Sequence, residues 1–173
     1  MATKREGSYE VYLVRHAIAE VRDPRRFPDD AKRPLTAVGR RKMQRAAQGL
    51  AKLGVKADCV GSSPLVRAVQ TAEVLAKELS YSKPIEMISA LAPGADCGEV
   101  VAWLAKHSQN HRVLLVGHEP DISELLHLCV ANAQFHSDFK KGGVALVTFG
   151  GRIAAGQGTL GWLVTPKMLR RMT

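Results

Sequence analysis

Aromatic residues make up only 5% of this 173-residue chain, and it has three cysteines and no long apolar run. No hydrophobic stretch approaches the roughly 20 residues that a membrane-spanning helix needs, which argues against a membrane protein. The first residues, MATKREGSYEVYLV, have a short apolar segment preceded by Glu10 and no small-residue cleavage site. We therefore expect no signal peptide and a cytoplasmic protein.

Cys59, Cys97 and Cys129 are odd in number, widely spaced and without a CxxC pair. This pattern is typical of free thiols in a reducing compartment and disfavours a disulfide framework or a zinc site. The sequence also lacks HExxH and DxDxDG metal motifs and the GxSxG turn of serine hydrolases. We expect neither a metal nor another cofactor.

The net charge is +9, and most of the excess lies between residues 22 and 56, which hold eleven Lys or Arg and three Asp. Such a local positive field suits a polyanionic or phosphorylated partner. A solvated basic helix face is the alternative interpretation. Nucleic-acid binding is disfavoured because zinc-finger spacing and aromatic-basic RNA-binding patterns are missing.

The length suits one domain covering residues 1–173. Short apolar runs alternate with amphipathic segments, which predicts an α/β fold around a mostly parallel sheet. Predicted strands lie at residues 11–14, 59–60, 113–116, 144–149 and 159–164, the last two as a hairpin. The proline-rich and charged segment 22–34 is predicted to be an exposed loop at a functional rim.

Helices are predicted between these strands. Thr36 is the expected N-cap of a helix that ends at Gly54. Ser63 followed by Pro64 predicts a second N-cap, with proline at the first helical position. A third helix is predicted at residues 98–107, and a fourth near Asp121, whose side chain is expected to cap it.

Polar residues follow three of the predicted strands. Arg15 and His16 follow the first. Ser62 and Ser63 follow the second, with Arg67 in the first turn of the next helix, and Gly117, His118 and Glu119 follow the strand at 113–116. Because parallel strands present their carboxyl ends at one sheet edge, we expect these side chains to meet there.

Two arginines and two histidines in one place predict phosphoryl chemistry. Arginine donates paired hydrogen bonds that match phosphate oxygens, and histidine is a nucleophile that titrates near neutral pH. The following helix N-terminus adds backbone N–H donors. Each residue alone fits an ordinary structural role, but buried together they need an anion to compensate their charge.

Four ordered motifs now carry a family resemblance: LVRHA at 13–17, RPLTxxG at 33–39, SPLxRAxQTA at 63–72 and VGHEP at 116–120. The chain resembles the histidine phosphatase superfamily, and within it the small SixA-type phosphohistidine phosphatases. The resemblance implies a three-layer, phosphoglycerate mutase-like fold, metal-free hydrolysis in two steps and a phosphorylated nucleophile at His16. It also places Arg15, Arg67 and His118 around the phosphate.

The sequence departs from this family in two respects. Ala17 replaces the glycine of the usual Arg-His-Gly signature, and we expect the backbone there to have ordinary dihedral angles. The large inserted cap that carries an acid in the mutase-like branch is also missing. Glu119 is the candidate proton donor, with an alternative role at the start of the next helix.

Arg33 and Ser63 are further candidate substrate-binding residues, Arg33 with a rim ion pair as its alternative. The sequence thus predicts a phosphohistidine phosphatase that works through His16, with a phosphorylated signalling protein as substrate. The open alternatives are a phosphatase of small phosphoesters or polyphosphate, and a non-catalytic phosphate-binding module.

Overall fold

The computed structural model describes residues 8–131 and 136–173. The described strands are Tyr9–Arg15 (β1), Cys59–Ser62 (β2), Glu86–Met87 (β3), Arg112–Gly117 (β4), Val144–Phe149 (β5) and Gly158–Val164 (β6). The helices are Ala37–Lys52 (α1), Val66–Glu78 (α2), Cys97–Lys106 (α3), Asp121–Val130 (α4) and Pro166–Leu169 (α5). Short 3-10 turns lie at Asp30–Lys32 and Ser89–Leu91.

The strands form one sheet in the order β3-β2-β4-β1-β5-β6. The strands β3, β2, β4 and β1 are parallel, and β5 pairs antiparallel with both β1 and β6. In this register Arg15 lies opposite Gly117, and Ser62 lies opposite Val116. The polar residues after β1, β2 and β4 therefore start from the same edge, as the sequence predicted.

Helices cover both faces of the sheet, because the strands are apolar on both. Along β1, Tyr12 and Val14 belong to the core under α1, α2 and α5, whereas Val11 and Leu13 belong to the core under α3 and α4. All four side chains are buried. Continuous apolar runs of this kind are typical of strands sandwiched between helix layers. The predicted α/β fold with three layers is confirmed.

The start of α1 fixes the chain beside the end of β1. Thr36 caps the helix as predicted, its hydroxyl oxygen accepting the Gly39 N–H at 2.8 Å. The Thr36 N–H donates to the Ile18 carbonyl oxygen at 3.0 Å. Gly39 packs directly on that carbonyl, where a Cβ would collide with the oxygen. This close approach holds the segment after His16 against α1.

Two predicted caps are wrong. The helix α2 begins at Val66, with Leu65 as its N-cap and no capping side chain, so Ser63 and Pro64 lie before it. The Ser63 hydroxyl is engaged with His118 instead. The Asp121 side chain does not cap α4 but accepts the Gly94 N–H at 2.9 Å. The Ser63 hydroxyl oxygen also accepts the Leu65 N–H at 3.3 Å, but this bond lies before the first turn of α2. Both side chains thus bond to a distant segment as well as or in place of a local partner.

The cysteines, the short strand β3 and the helix lengths bear on the remaining expectations. The three cysteines are free thiols, with Cys59 and Cys129 buried, as predicted. The two-residue strand β3 was not predicted, because it is short, exposed and without periodicity. In residues 8–131 and 136–173, none of the helices combines the length and apolar character that crossing a bilayer requires.

The close packing of Gly39 leads to a stability prediction. We expect Gly39→Ala to lower the free energy of unfolding by about 1–3 kcal/mol, because the methyl group forces the Ile18 carbonyl away. Urea denaturation measures this change. The matched control is Gly150→Ala, since a Cβ there has no neighbour within 4 Å. Equal stability of the two variants would contradict the proposed contact.

Candidate active site

The backbone holds His16 at the end of the central strand. Its N–H donates to the Gly117 carbonyl oxygen at 3.0 Å, and Gly142 N–H donates to the carbonyl oxygens of Arg15 and His16 at 3.0 and 3.2 Å. The imidazole is 8% exposed, and its Nδ1 lies 2.7 Å from the Ala17 carbonyl oxygen. Because a carbonyl can only accept, Nδ1 carries the proton, which leaves the lone pair of the neutral ring on Nε2.

Ala17 fits the backbone at the position where the family signature has glycine. Ser80 is the only non-glycine residue with positive φ in the described part of the chain, so Ala17 has ordinary dihedral angles, as expected. Its side chain is buried in the core beneath α1 and α2. The Ala17 N–H donates to Thr71 Oγ1 at 3.1 Å, and that hydroxyl donates to the Arg67 carbonyl oxygen at 2.7 Å. Thr71 thus ties the His16 segment to α2.

His118 lies beside His16, with 5.0 Å between the ring centroids and 56° between the ring planes. Its Nε2 and the Ser63 Oγ are hydrogen-bonded at 2.8 Å. Its Nδ1 is buried without a hydrogen-bond partner among the described residues. Ser63 therefore orients His118, which differs from the substrate contact that the sequence suggested for it.

Two arginines complete the cluster, and each has a donor without a partner. Arg15 Nη1 donates to the Phe139 carbonyl oxygen at 2.6 Å, and Arg67 Nη1 donates to the Asp30 carbonyl oxygen at 3.0 Å. The Nε atoms of Arg15 and Arg67 are buried and make no hydrogen bond within residues 8–131 and 136–173. Buried N–H groups of this kind are suited to an anion with several acceptor oxygens.

The segment before α1 contributes an acidic residue that the sequence analysis did not single out. Asp30 forms ion pairs with Arg67 at 3.2 Å and with Arg33 at 2.9 Å. The hydrogen bond from Arg33, helped by the charge of Arg67, lowers the pKa of the Asp30 carboxyl below its usual value. Arg33 also donates to the Glu20 carbonyl oxygen at 2.7 Å. Arg33 thus forms the rim ion pair that the sequence left open as its alternative.

Burial keeps both histidines neutral at neutral pH. Loss of solvent lowers the pKa of His16 to about 4, and the nearby charges of Arg67 and Arg15 act in the same direction, against the bond to the Ala17 carbonyl. Loss of solvent also lowers the pKa of His118 to about 3, with His16 and Arg67 adding to the shift. Two neutral imidazoles beside two guanidinium groups form a site for a tetrahedral oxyanion with a lone pair available for attack on phosphorus.

Glu119 is the acidic group next to this cluster. Its Oε1 accepts the Ser123 hydroxyl at 2.9 Å. Burial raises the pKa of the Glu119 carboxyl, opposed by that hydrogen bond and by the charge of Arg15. A carboxyl group with a raised pKa is easier to protonate, and proximity to Arg15 puts it near the anion site.

The structure brings the predicted residues Arg15, His16, Arg67 and His118 to one edge and adds Asp30 and Thr71 to them. The position of Thr71 could have been predicted, because it lies one helical turn after Arg67 on the same face. The pairing of Asp30 with Arg67 could not, since the two residues are 37 positions apart in the sequence. In the described part of the chain, no group of three or more His, Cys, Asp or Glu side chains is arranged to hold a metal ion.

The histidine pKa values lead to a prediction about acid stability. Below about pH 6.5 the unfolded chain takes up protons on these histidines that the folded chain does not, so stability falls as the pH approaches 4. We expect the slope from each histidine to increase as the pH falls below 6.5 and to approach about 1.4 kcal/mol per pH unit near pH 5. Urea unfolding between pH 6.5 and 5 measures it, and His16→Gln should remove one such contribution. An unchanged slope in that variant would contradict the assigned burial.

Comparison with known proteins agrees with this geometry. Residues 11–93 match the model of the histidine phosphatase superfamily (branch 1). An uncharacterised protein of Picosynechococcus sp. is 35% identical over 138 residues, covering 78% of this chain and 82% of its own length. Phosphohistidine phosphatase SixA of Escherichia coli strain K12 is 29% identical over 164 residues, 93% of this chain and 96% of that protein.

A solved structure is similar as well. The protein histidine phosphatase SixA complexed with tungstate superposes with a TM-score of 0.82 at 28% identity, over 92% of this chain and 99% of that one. The sheet order, the four motifs and these relatives agree on one family. The chain belongs to the histidine phosphatase superfamily and is a SixA-like phosphatase.

Proposed function

We propose that this phosphatase hydrolyses phosphohistidine through a covalent intermediate on His16 Nε2. The observation that carries the proposal is the 2.7 Å hydrogen bond between His16 Nδ1 and the Ala17 carbonyl oxygen. It fixes the tautomer with the lone pair on Nε2, and the pKa of about 4 keeps that lone pair unprotonated at neutral pH. His16 is thus a nucleophile that needs no separate general base.

In the first step, the phosphoryl group binds among Arg15, Arg67 and His118. The unpartnered Nε–H groups of both arginines are available to its oxygens. The Nε2 lone pair of His16 forms a bond to phosphorus as the bond to the leaving group breaks. The leaving group takes the electron pair and a proton, and the guanidinium groups stabilise the charge on the three equatorial oxygens.

In the second step, water attacks the phosphohistidine from the side that the leaving group vacated. A new P–O bond forms, the P–Nε2 bond breaks and its electron pair returns to Nε2 while water loses a proton. The hydrogen bond from Nδ1 keeps the ring in place for both steps. SixA binding of tungstate, a tetrahedral oxyanion, supports the same pocket chemistry here.

Glu119 is the proposed proton donor to the leaving group and the acceptor of the proton from water. Burial raises the pKa of the Glu119 carboxyl, which increases its protonated fraction. A phosphorus–nitrogen bond to imidazole needs little help from an acid, because the ring nitrogen is easily protonated. An alkyl phosphate has a much poorer leaving group and depends on the acid more strongly.

A phosphorylated protein is the proposed substrate, in keeping with the phosphohistidine phosphatase SixA of Escherichia coli. The basic residues of α1 that face outward, Arg40, Arg41, Lys42 and Arg45, offer a positive surface for it. Three free thiols suit a reducing compartment, and we place the protein in the cytoplasm. A small phosphoester or polyphosphate is the second candidate, which the same anion pocket would also accept.

The first test looks for the phosphohistidine intermediate on His16 directly. We expect wild-type protein incubated with a radiolabelled phosphodonor and quenched in alkali to hold stoichiometric phosphate that acid releases. His16→Ala should lose this label completely. His107→Ala is the matched control, because that ring stacks on Trp103 with 4.0 Å between centroids and lies outside the site. A wild-type protein that shows neither the phosphate label nor hydrolysis would contradict the catalytic proposal.

The role of Glu119 is tested by changing the leaving group. We expect Glu119→Gln to lower kcat on an alkyl phosphate by about 100-fold or more, and on a phosphohistidine peptide by less than about 10-fold. Glu124→Gln, an exposed change in α4 five residues after Glu119, should leave both rates unchanged. Equal losses on the two substrates would assign Glu119 a structural role through Ser123.

A further inference from the structure

A second cationic cleft lies beside the catalytic cluster, between the segment after His16, the start of α1 and the end of α5. Its volume is about 140 Å³, and Lys42, Lys141 and Arg170 are among the residues that line it. None of the nine residues that line it is acidic. One water occupies roughly 30 Å³ of liquid, so the cleft has room for a phosphate or carboxylate group.

The three cations of this cleft have no charged partner. Within residues 8–131 and 136–173, none of them forms a salt bridge. The neighbouring Lys140 provides a contrast, since it pairs with Asp138 at 2.6 Å. Three like charges around a small concavity repel one another and concentrate a positive potential in it. An anion that enters the cleft relieves this repulsion.

The cleft adjoins the catalytic cluster along the backbone. Ala17 and Ile18, the residues after His16, line it. Gly142 lines it too, and its N–H donates to the carbonyl oxygens of Arg15 and His16. The charge of Lys141 is close enough to contribute to the lowered pKa of His16. The cleft and the catalytic cluster therefore lie on adjacent residues of the same backbone segments.

We infer that Lys42, Lys141 and Arg170 form a second anion subsite, which binds an anionic group of the substrate other than the phosphoryl group that reacts. The inference rests on the proposed function, because it assigns the substrate class of the same site. It selects substrates with a carboxylate or a second phosphate a short distance from the reacting phosphorus. A substrate whose only anionic group is the reacting phosphoryl leaves the cleft unused.

The three cations differ in exposure. Lys42 and Lys141 are exposed, whereas Arg170 is partly buried at the end of α5. Its backbone is fixed, since α5 packs on Gly49 of α1. Arg170 thus adds a guanidinium, a planar group with several donors, from an anchored stretch of backbone, and the two exposed lysines add single charges.

The test uses three peptides that share a central phosphohistidine and differ at one position within four residues of it. That position holds Asn, Asp or phosphoserine. We expect kcat/KM for the Asp or the phosphoserine peptide to exceed that for the Asn peptide by about tenfold at low salt, with the advantage falling as salt screens it. The Asp and phosphoserine peptides distinguish a carboxylate from a second phosphate as the bound group.

The double variant Lys42→Gln/Lys141→Gln should bring this ratio close to one. Lys52→Gln/Lys106→Gln removes the same charge away from the cleft and should retain the preference, which separates local binding from net charge. Equal kcat/KM for all three peptides, or a preference that survives in the double variant, would overturn the subsite.

Binding measurements separate failure of the subsite from failure of the proposed function. The His16→Ala protein binds the same peptides without turning them over, and fluorescence anisotropy measures their dissociation constants. A tenfold preference for the anionic peptides that the lysine substitutions abolish supports the subsite even if no wild-type turnover or His16 label is found. Equal dissociation constants overturn it whether or not His16 is the nucleophile.

Discussion

Guanidinium donors that are buried without acceptors are costly, and this cost shapes the sheet edge around His16. Arg15 and Arg67 each bury an Nε–H that no described group accepts. Burial also holds the pKa of His16 near 4 and that of His118 near 3, so neither imidazole adds positive charge at neutral pH. In the proposed mechanism a tetrahedral dianion accepts hydrogen bonds from both arginines at once, and its binding offsets the cost of burying these donors.

Backbone hydrogen bonds fix the positions of the segments that form this site. Hydrogen bonds join the segments beyond three strands: His16 to Gly117, Ser63 to Val116, and Gly142 to Arg15. The site is thus built on the ends of sheet strands rather than on long loops. In the proposed mechanism the donors are already oriented before the substrate arrives, so little reorganisation opposes the transition state.

The sequence predicted those parts of the protein that depend on local pattern. The apolar runs of β1 and β4 and the cap at Thr36 are such features, and the convergence of Arg15, His16, Arg67 and His118 follows from them. Ser63 and Asp121 show where local reasoning fails, because neither caps its helix and each bonds to a distant segment of the chain. Asp30 shows the same limit, since its pairing with Arg67 exists only once the segment before α1 has folded back on α2.

Asp30 also explains how a strongly basic segment can lie against a basic site. Arg33 and Arg67 would repel each other at this distance, and the Asp30 carboxylate between them offsets that repulsion. Because those arginines lower its pKa, the carboxyl stays ionised through the neutral range. The carboxylate pairs with Nη1 of Arg67 at 3.2 Å, and no described group accepts from the buried Nε. The same ion pair therefore anchors the segment, orients the guanidinium plane and preserves the donor that faces the phosphoryl group in the proposed mechanism.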